Sequence, residues 1–203
     1  MIQVVQRAAG RPVSRETFGR IQWYVERLGA ENSRQNLVSA ATLNAVWSRH
    51  IIDSAQLVRF EPNSGSTWVD IGSGGGLPGI IIACLVEGPV TLVEPRPLRA
   101  RFLADTVQAL GLNATVVQSK AEGVSGKFDV ITGRAVAPMP RFLSMCDHLS
   151  TRKTHWVLPK GRSAQSELED AQRSWQGVFH VEQSITDPEA MIVIGTGVRA
   201  MTR

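Results

Sequence analysis

The chain has 203 residues, of which 43% are hydrophobic and 20% charged, so it is long enough for one sizeable core and too apolar to be disordered. No apolar run reaches membrane-spanning length, and residues 1–15 lack the apolar centre of a signal peptide. The formal net charge is +4; lysine occurs only at 120, 127, 153 and 160, so 18 of the 22 basic residues are arginine, the side chain suited to bidentate phosphate and base contacts.

The elements read in chain order as follows. A helix is predicted over about 14–28, with Ser14 as its cap, an apolar stripe of Phe18, Ile21, Val25 and Leu28, and Gly29 at its end. Residues 31–39 read as a polar loop. A second helix is predicted over about 42–58, where Leu43, Val46, Trp47, His50, Ile51, Ser54, Leu57 and Val58 recur at spacings of three and four. His50 lies on that apolar face, with Asp53 three residues on as its candidate partner. Residues 1–60 thus form an N-terminal helical extension, joined by the turn-rich segment 61–66 to a unit that spans 61–203 and packs with it as one compact body.

From residue 67 strands and helices alternate, which implies a parallel sheet with right-handed crossovers. Strands are predicted at about 67–71, 90–94, 114–118, 128–132 and 154–158, with helices at about 77–86, 97–110, 138–149 and 163–175 between and after them. Two closing strands, about 178–184 and 190–197, complete seven and permit an antiparallel hairpin at the sheet edge. Cys84 and Cys146 both sit among apolar residues and read as core thiols of a reduced, cytoplasmic protein.

The first strand runs into Asp70-Ile71-Gly72-Ser73-Gly74-Gly75-Gly76-Leu77-Pro78-Gly79, a strand, a glycine-rich loop and a helix start. Such a turn lets backbone approach a ligand closely and points helix-start N–H groups at it. Two registers fit. Gly74, Gly76 and Gly79 match the dinucleotide fingerprint of nicotinamide enzymes, with Glu94 where a ribose-binding acid would stand. Asp70, Gly72, Gly74 and Gly76 instead match the loop of class I S-adenosylmethionine (SAM) methyltransferases. A carboxylate at the strand end favours the second: it repels a pyrophosphate and suits a ligand carrying an ammonium and a sulfonium.

Ligands of an open α/β sheet bind beyond the carboxyl ends of its strands. Those ends carry Asp70, Gly72, Gly74 and Leu77; then Glu94, able to accept two ribose hydroxyls or to pair with Arg96; then Ala121 and Glu122, placed to border an adenine; then Arg134; then Lys160. Arg134 and Lys160 converge from neighbouring strands, with Asp129 a candidate partner for Arg134. There is no Asn/Asp-Pro-Pro-Tyr/Phe grip for an exocyclic amine and no Pro-Cys nucleophile, so the acceptor is expected to be an atom that is already nucleophilic.

These motifs carry a family resemblance. The segments Asn36-Leu37-Val38-Ser39, Arg49-His50-Ile51-Ile52-Asp53-Ser54, Asp70–Gly79, Arg134-Ala135-Val136-Ala137 and Leu158-Pro159-Lys160-Gly161 closely resemble those of the bacterial RsmG (GidB) methyltransferases. The resemblance implies a class I, Rossmann-like methyltransferase fold and transfer of methyl from SAM to guanine N7 in 16S ribosomal RNA. It implies SAM contacts at Gly72, Leu77, Ala121, Glu122 and Arg134, the ribose at Glu94, and an RNA side of Arg134, Lys160, Arg49 and His50. With Arg34 and Arg162, these cations are expected to form one basic rim around the cofactor mouth. No general base is expected. The resemblance implies 16S rRNA or the small subunit as the partner, and the protein is expected to act as a monomer without metal or membrane.

Overall fold

A computed structural model describes residues 1–201. Seven strands form one sheet: β1 (Trp68–Ile71), β2 (Val90–Val93), β3 (Ala114–Val117), β4 (Val130–Thr132), β5 (His155–Lys160), β6 (Trp175–Gln183) and β7 (Met191–Ala200), in the order β3-β2-β1-β4-β5-β7-β6. The first five pair in parallel, and β7 runs antiparallel to both β5 and β6. The order reverses between β1 and β4, the place where an open sheet leaves a crevice at its carboxyl edge.

Alternation along the strands divides the core between two faces. Trp68, Leu92, Val130 and Val157 join one apolar cluster with α1 (Ile2–Ala9), α2 (Arg15–Gln35), α5 (Gly79–Leu85) and α6 (Pro97–Leu110). Val69, Ile71, Ile131, Trp156 and Leu158 join the other with α7 (Met139–Cys146) and α8 (Ala164–Ala171). Residues 1–60 therefore share one side of the sheet with α5 and α6. Both cysteines are buried, and burial pushes each thiol up to about 12. No helix among the described residues is long and apolar enough to cross a membrane.

Three stretches of the N-terminal region differ from expectation. α1 was not anticipated; its core-facing residues are Val5, Ala8 and Ala9, too small to mark a stripe. α2 is capped by Ser14 as expected but passes through Gly29 to Gln35, and so takes in half of the segment read as loop. Its last turn is held from within: Glu31 and Asn32 are buried, Glu31 accepts from Gln35 at 2.7 Å, and Asn32 accepts the Val38 N–H at 2.8 Å. Asn36, in the left-handed region at φ 50°, supplies the stop that Gly29 was expected to give.

The helix expected over 42–58 is a relay of short pieces. α3 (Ala40–Leu43) ends, a π-helical turn covers Trp47–Ile52, α4 is only Asp53–Ala55, and a 3₁₀ turn covers Gln56–Phe60. The apolar face survives, with His50, Ile51, Ser54, Leu57 and Val58 buried. The expected His50–Asp53 pair does not form: His50 Nε2 meets Thr42 Oγ1 at 3.0 Å, while Asp53 Oδ1 accepts from Gln56 and Thr186, each at 2.9 Å.

Candidate active site

The glycine loop after β1 is tied from three directions. Asp70 is 1% exposed and lies beneath the loop, where Oδ2 accepts the Gly79 N–H at 3.0 Å and Oδ1 has no partner. Burial raises its pKa to about 7, against the lowering effects of Ser73, Gly79 and Arg134. Glu94, at the end of β2, is 4% exposed; Oε2 accepts the Gly74 N–H and Oε1 the Arg96 N–H, each at 2.9 Å. The considered Glu94–Arg96 side-chain pair is replaced by this backbone contact. From α2, the Tyr24 hydroxyl donates to the Gly75 carbonyl at 2.8 Å. An alanine Cβ at Gly79 would collide with Leu92 and come within 2.5 Å of Asp70 Oδ2, so this glycine is needed where α5 crosses the sheet.

The predicted cofactor residues fall into two layers. Gly72, Gly74 and Glu122 present surface at the carboxyl edge of the sheet, whereas Asp70, Gly76, Leu77 and Ala121 are buried behind it. Gly72 has φ 69°, and a Cβ there would lie 2.8 Å from Val136 Cγ2. The loop after β1 and the segment after β4 thus meet at the switch point, and only a residue without a side chain fits between them. This cradle fits SAM chemically. Its backbone is open to close approach, a buried carboxyl sits under it, and each Glu94 oxygen keeps a second lone pair for a ribose hydroxyl.

On the other side of Val136 opens a cleft of about 590 Å³. Arg49, His50, Asp53, Arg134, Lys160, Glu167 and Asp187 line it, together with the apolar Val136–Pro138 and Ala190–Ile192 segments. Ala135, in the loop after β4, holds a left-handed φ of 56°, a strained non-glycine backbone at the wall of the site.

The expected basic rim is corrected in two respects. Arg49, Arg134 and Lys160 do reach the cleft, but Arg34 lies outside it on α2 and Arg162 pairs with Glu189 at the exposed edge. Each cation that lines the cleft also faces a carboxylate: Arg49–Asp187 at 2.7 Å, Arg134–Asp53 at 3.5 Å and Lys160–Glu167 at 2.8 Å. Asp129, proposed for Arg134, is instead bound to the Thr67 N–H and hydroxyl, both at 2.9 Å. Burial alone would raise the Glu167 carboxyl; hydrogen bonds from Lys160 and Ser163 overcome this and hold it below its ordinary value.

Sequence reasoning missed the acidic half of this wall and the turn after β6. Ser184 and Thr186 on that turn reach Asp53 Oδ1 at 3.4 and 2.9 Å, and Gln56 bridges the same group while accepting the Ile185 N–H at 2.9 Å. Only Asp53, inside the Arg49–Ser54 motif, gave a signal. His50 is 8% exposed, and burial, reinforced by Arg134 and Arg49, lowers its pKa to about 4. Its ring is therefore neutral at physiological pH.

Sheet order, glycine cradle and adjoining cleft define a class I SAM-dependent methyltransferase. A solved SAM-dependent methyltransferase from Aquifex aeolicus superposes with a TM-score of 0.61 at 16% identity, over 75% of this chain and 93% of that one. M. jannaschii TYW2 in complex with AdoMet gives 0.56 at 15% identity, over 75% and 76%. Residues 18–191 match the GidB family, rRNA small subunit methyltransferase G, and the chain belongs to it. Relatives named ribosomal RNA small subunit methyltransferase G include those of Erythrobacter litoralis, 47% identical over 90% of this chain and 89% of the relative, and Sphingopyxis alaskensis, 44% identical over 91% and 80%. That of Methylobacterium radiotolerans is 40% identical over 95% and 93%. Membership decides between the two glycine registers in favour of SAM and sets the nicotinamide reading aside.

Proposed function

We propose that this protein transfers the methyl group of SAM to N7 of a guanine in the 16S RNA of the small ribosomal subunit, acting as a monomer in the cytoplasm. The observation that carries the reading is the meeting of Gly72 with Val136, with the proposed cofactor cradle on one side of that segment and, on the other, a cleft roomy enough to admit a guanine. In this reading Gly72, Gly74 and Leu77 form the cradle, Glu94 holds the ribose hydroxyls, and Ala121 and Glu122 border the adenine. Asp70 acts from below as a carboxyl that both shapes the loop, through Gly79, and favours a cationic ligand.

When bound, SAM supplies an electrophilic methyl on a sulfonium. The cleft then has to orient the acceptor, an effect that lowers such barriers by several kcal/mol. Guanine N7 has an in-plane lone pair and no proton, so no side chain has to remove one. A neutral His50 accords with that: an imidazolium in the same wall would oppose the positive charge arriving on the purine. Asp53 and Glu167 lie where they can favour that charge. Arg134, between loop and cleft, and Lys160, whose Nζ also donates to the Ala137 carbonyl at 3.2 Å, are placed to hold O6 and the flanking phosphate.

The test is incorporation of labelled methyl from SAM into purified small subunits that lack the modification, compared with large subunits and free nucleosides. Labelling confined to small-subunit RNA is expected, and it should weaken steeply with salt as phosphate contacts are lost. Equal labelling of free guanosine would favour a small-molecule acceptor instead.

A further inference from the structure

The cleft has a weakness as an RNA site. Its three cations are matched by three carboxylates, so it offers phosphates little net attraction. A stronger basic surface lies on the other side of the glycine loop, along the seam between α2 and α6. Arg20, Trp23, Arg27 and Arg34 recur on α2 at spacings of three, four and seven, on a face that flanks the buried Ile21, Tyr24 and Leu28. Arg96 and Arg99 start α6 beside them. The two helices are joined there by Gln35 Nε2 donating to the Leu98 carbonyl at 3.3 Å and by Arg99 donating to the Asn36 carbonyl at 3.4 Å.

The charge of this seam is largely unspent. Among the described residues Arg27 and Arg96 are exposed and have no carboxylate within ion-pair distance. Arg34 is 76% exposed and touches Glu31 at only 3.4 Å. The acids around the seam are Glu16, engaged by Arg20 at 2.9 Å, Glu26, exposed on α2, Asp105, exposed on α6 seven residues after Leu98, and Glu94, turned inward to backbone N–H groups. Trp23 and Leu98 expose large apolar surface within this basic setting, and an aromatic among arginines is what a base or ribose stacks on. The seam also leads to the site: Arg99 Nη1 is 3.8 Å from where a Cβ of Gly74 would be, and the chain runs from Asn36 to Thr42 at the cleft wall.

We propose that the α2–α6 seam, through Arg27, Arg34, Arg96 and Trp23, is a docking surface for the RNA backbone flanking the target base. The inference rests on RNA being the substrate. Labour is divided: the seam supplies sequence-independent affinity, and the charge-balanced cleft admits and orients one base.

The test uses the full chain with the double substitution Arg27→Ala/Arg96→Ala. Its control is Arg152→Ala/Lys153→Ala, which removes the same charge from the exposed segment before β5, at the opposite edge of the sheet. Arg99 is left intact because it abuts the glycine loop. With small subunits as substrate, the seam variant should raise KM about tenfold at physiological salt and flatten the log–log salt dependence by up to about 1.8, two phosphates at roughly 0.9 each. Its kcat and SAM affinity should stay at wild type, and the control should keep the wild-type KM. Trp23→Ala should weaken binding without changing the slope. A seam variant with the wild-type KM and slope, or a control with the same loss, overturns the proposal. Wild-type protein that fails to methylate small subunits defeats the functional reading instead; the seam is then judged on binding of a 20-base-pair RNA duplex, which the seam variant must lose and the control must keep.

Discussion

Tyr24→Phe isolates the link between the N-terminal helices and the cofactor loop. The ring is fully buried, and burial pushes the phenol well above its ordinary value, so the hydroxyl stays a donor across the working range. It donates to the Gly75 carbonyl at 2.8 Å, and no other donor among the described residues reaches that oxygen. Phenylalanine keeps the packing and removes only the hydroxyl. The loss is one hydrogen bond, about 1 kcal/mol net, plus part of the cost of stranding a buried carbonyl, so about 1–3 kcal/mol in all. For a chain of this size that is a fall in Tm of roughly 5 °C. Because the same bond holds the cradle in shape, SAM affinity should fall by up to about tenfold, the equivalent of ~1.4 kcal/mol. Differential scanning calorimetry and titration calorimetry with SAM read both effects. A Tyr24→Phe protein with wild-type Tm and SAM affinity would show that α2 does not hold the loop.

Single-turnover methylation at saturating SAM and RNA should be flat from about pH 6 to 9, since His50 titrates near 4 and N7 has no proton to lose; a rise with a pKa near 6.5 that vanishes in His50→Gln would contradict this. Asp70 has a folded pKa raised to about 7, so its contribution to stability is full below its unfolded pKa near 3.8 and is lost as the pH rises through 7. Wild type should therefore lose Tm relative to Asp70→Asn between pH 5 and pH 8, and a constant difference would show that Asp70 is already ionised at pH 5. Asp187→Ala frees Arg49 from a partly exposed ion pair, so Tm should move by less than about 2 °C while KM for small subunits falls two- to threefold, roughly the worth of a surface pair; a raised KM would mean the turn orders Arg49 for RNA.

The βα half of the fold was legible because glycine and proline punctuate it. Asp70–Gly79 marks one strand end, and Pro97 and Gly111 bracket α6. The N-terminal half was harder for physical reasons. Ala8 and Ala9 bury too little to reveal α1, Gly29 sits inside α2 at no steric cost, and no periodicity announces a change from α to π to 3₁₀ winding over residues 40–60. Within the site, glycines, Glu94, Arg134 and Lys160 were readable from their places after strands. The carboxylates opposite the cations were not, because Glu167 and Asp187 reach the cleft from α8 and from a turn whose position depends on the whole sheet closing.

The most direct measurement is the identity of the methylated atom. Small subunits treated with the protein and SAM are reduced with borohydride and exposed to aniline, which cleaves the RNA chain at 7-methylguanosine. The account predicts stoichiometric cleavage at one guanine of 16S RNA, absent without the protein and lost in the Gly72→Val protein, where the side chain would crowd Val136. Incorporated methyl that gives no such cleavage, or that lies on another base or on ribose, would contradict it.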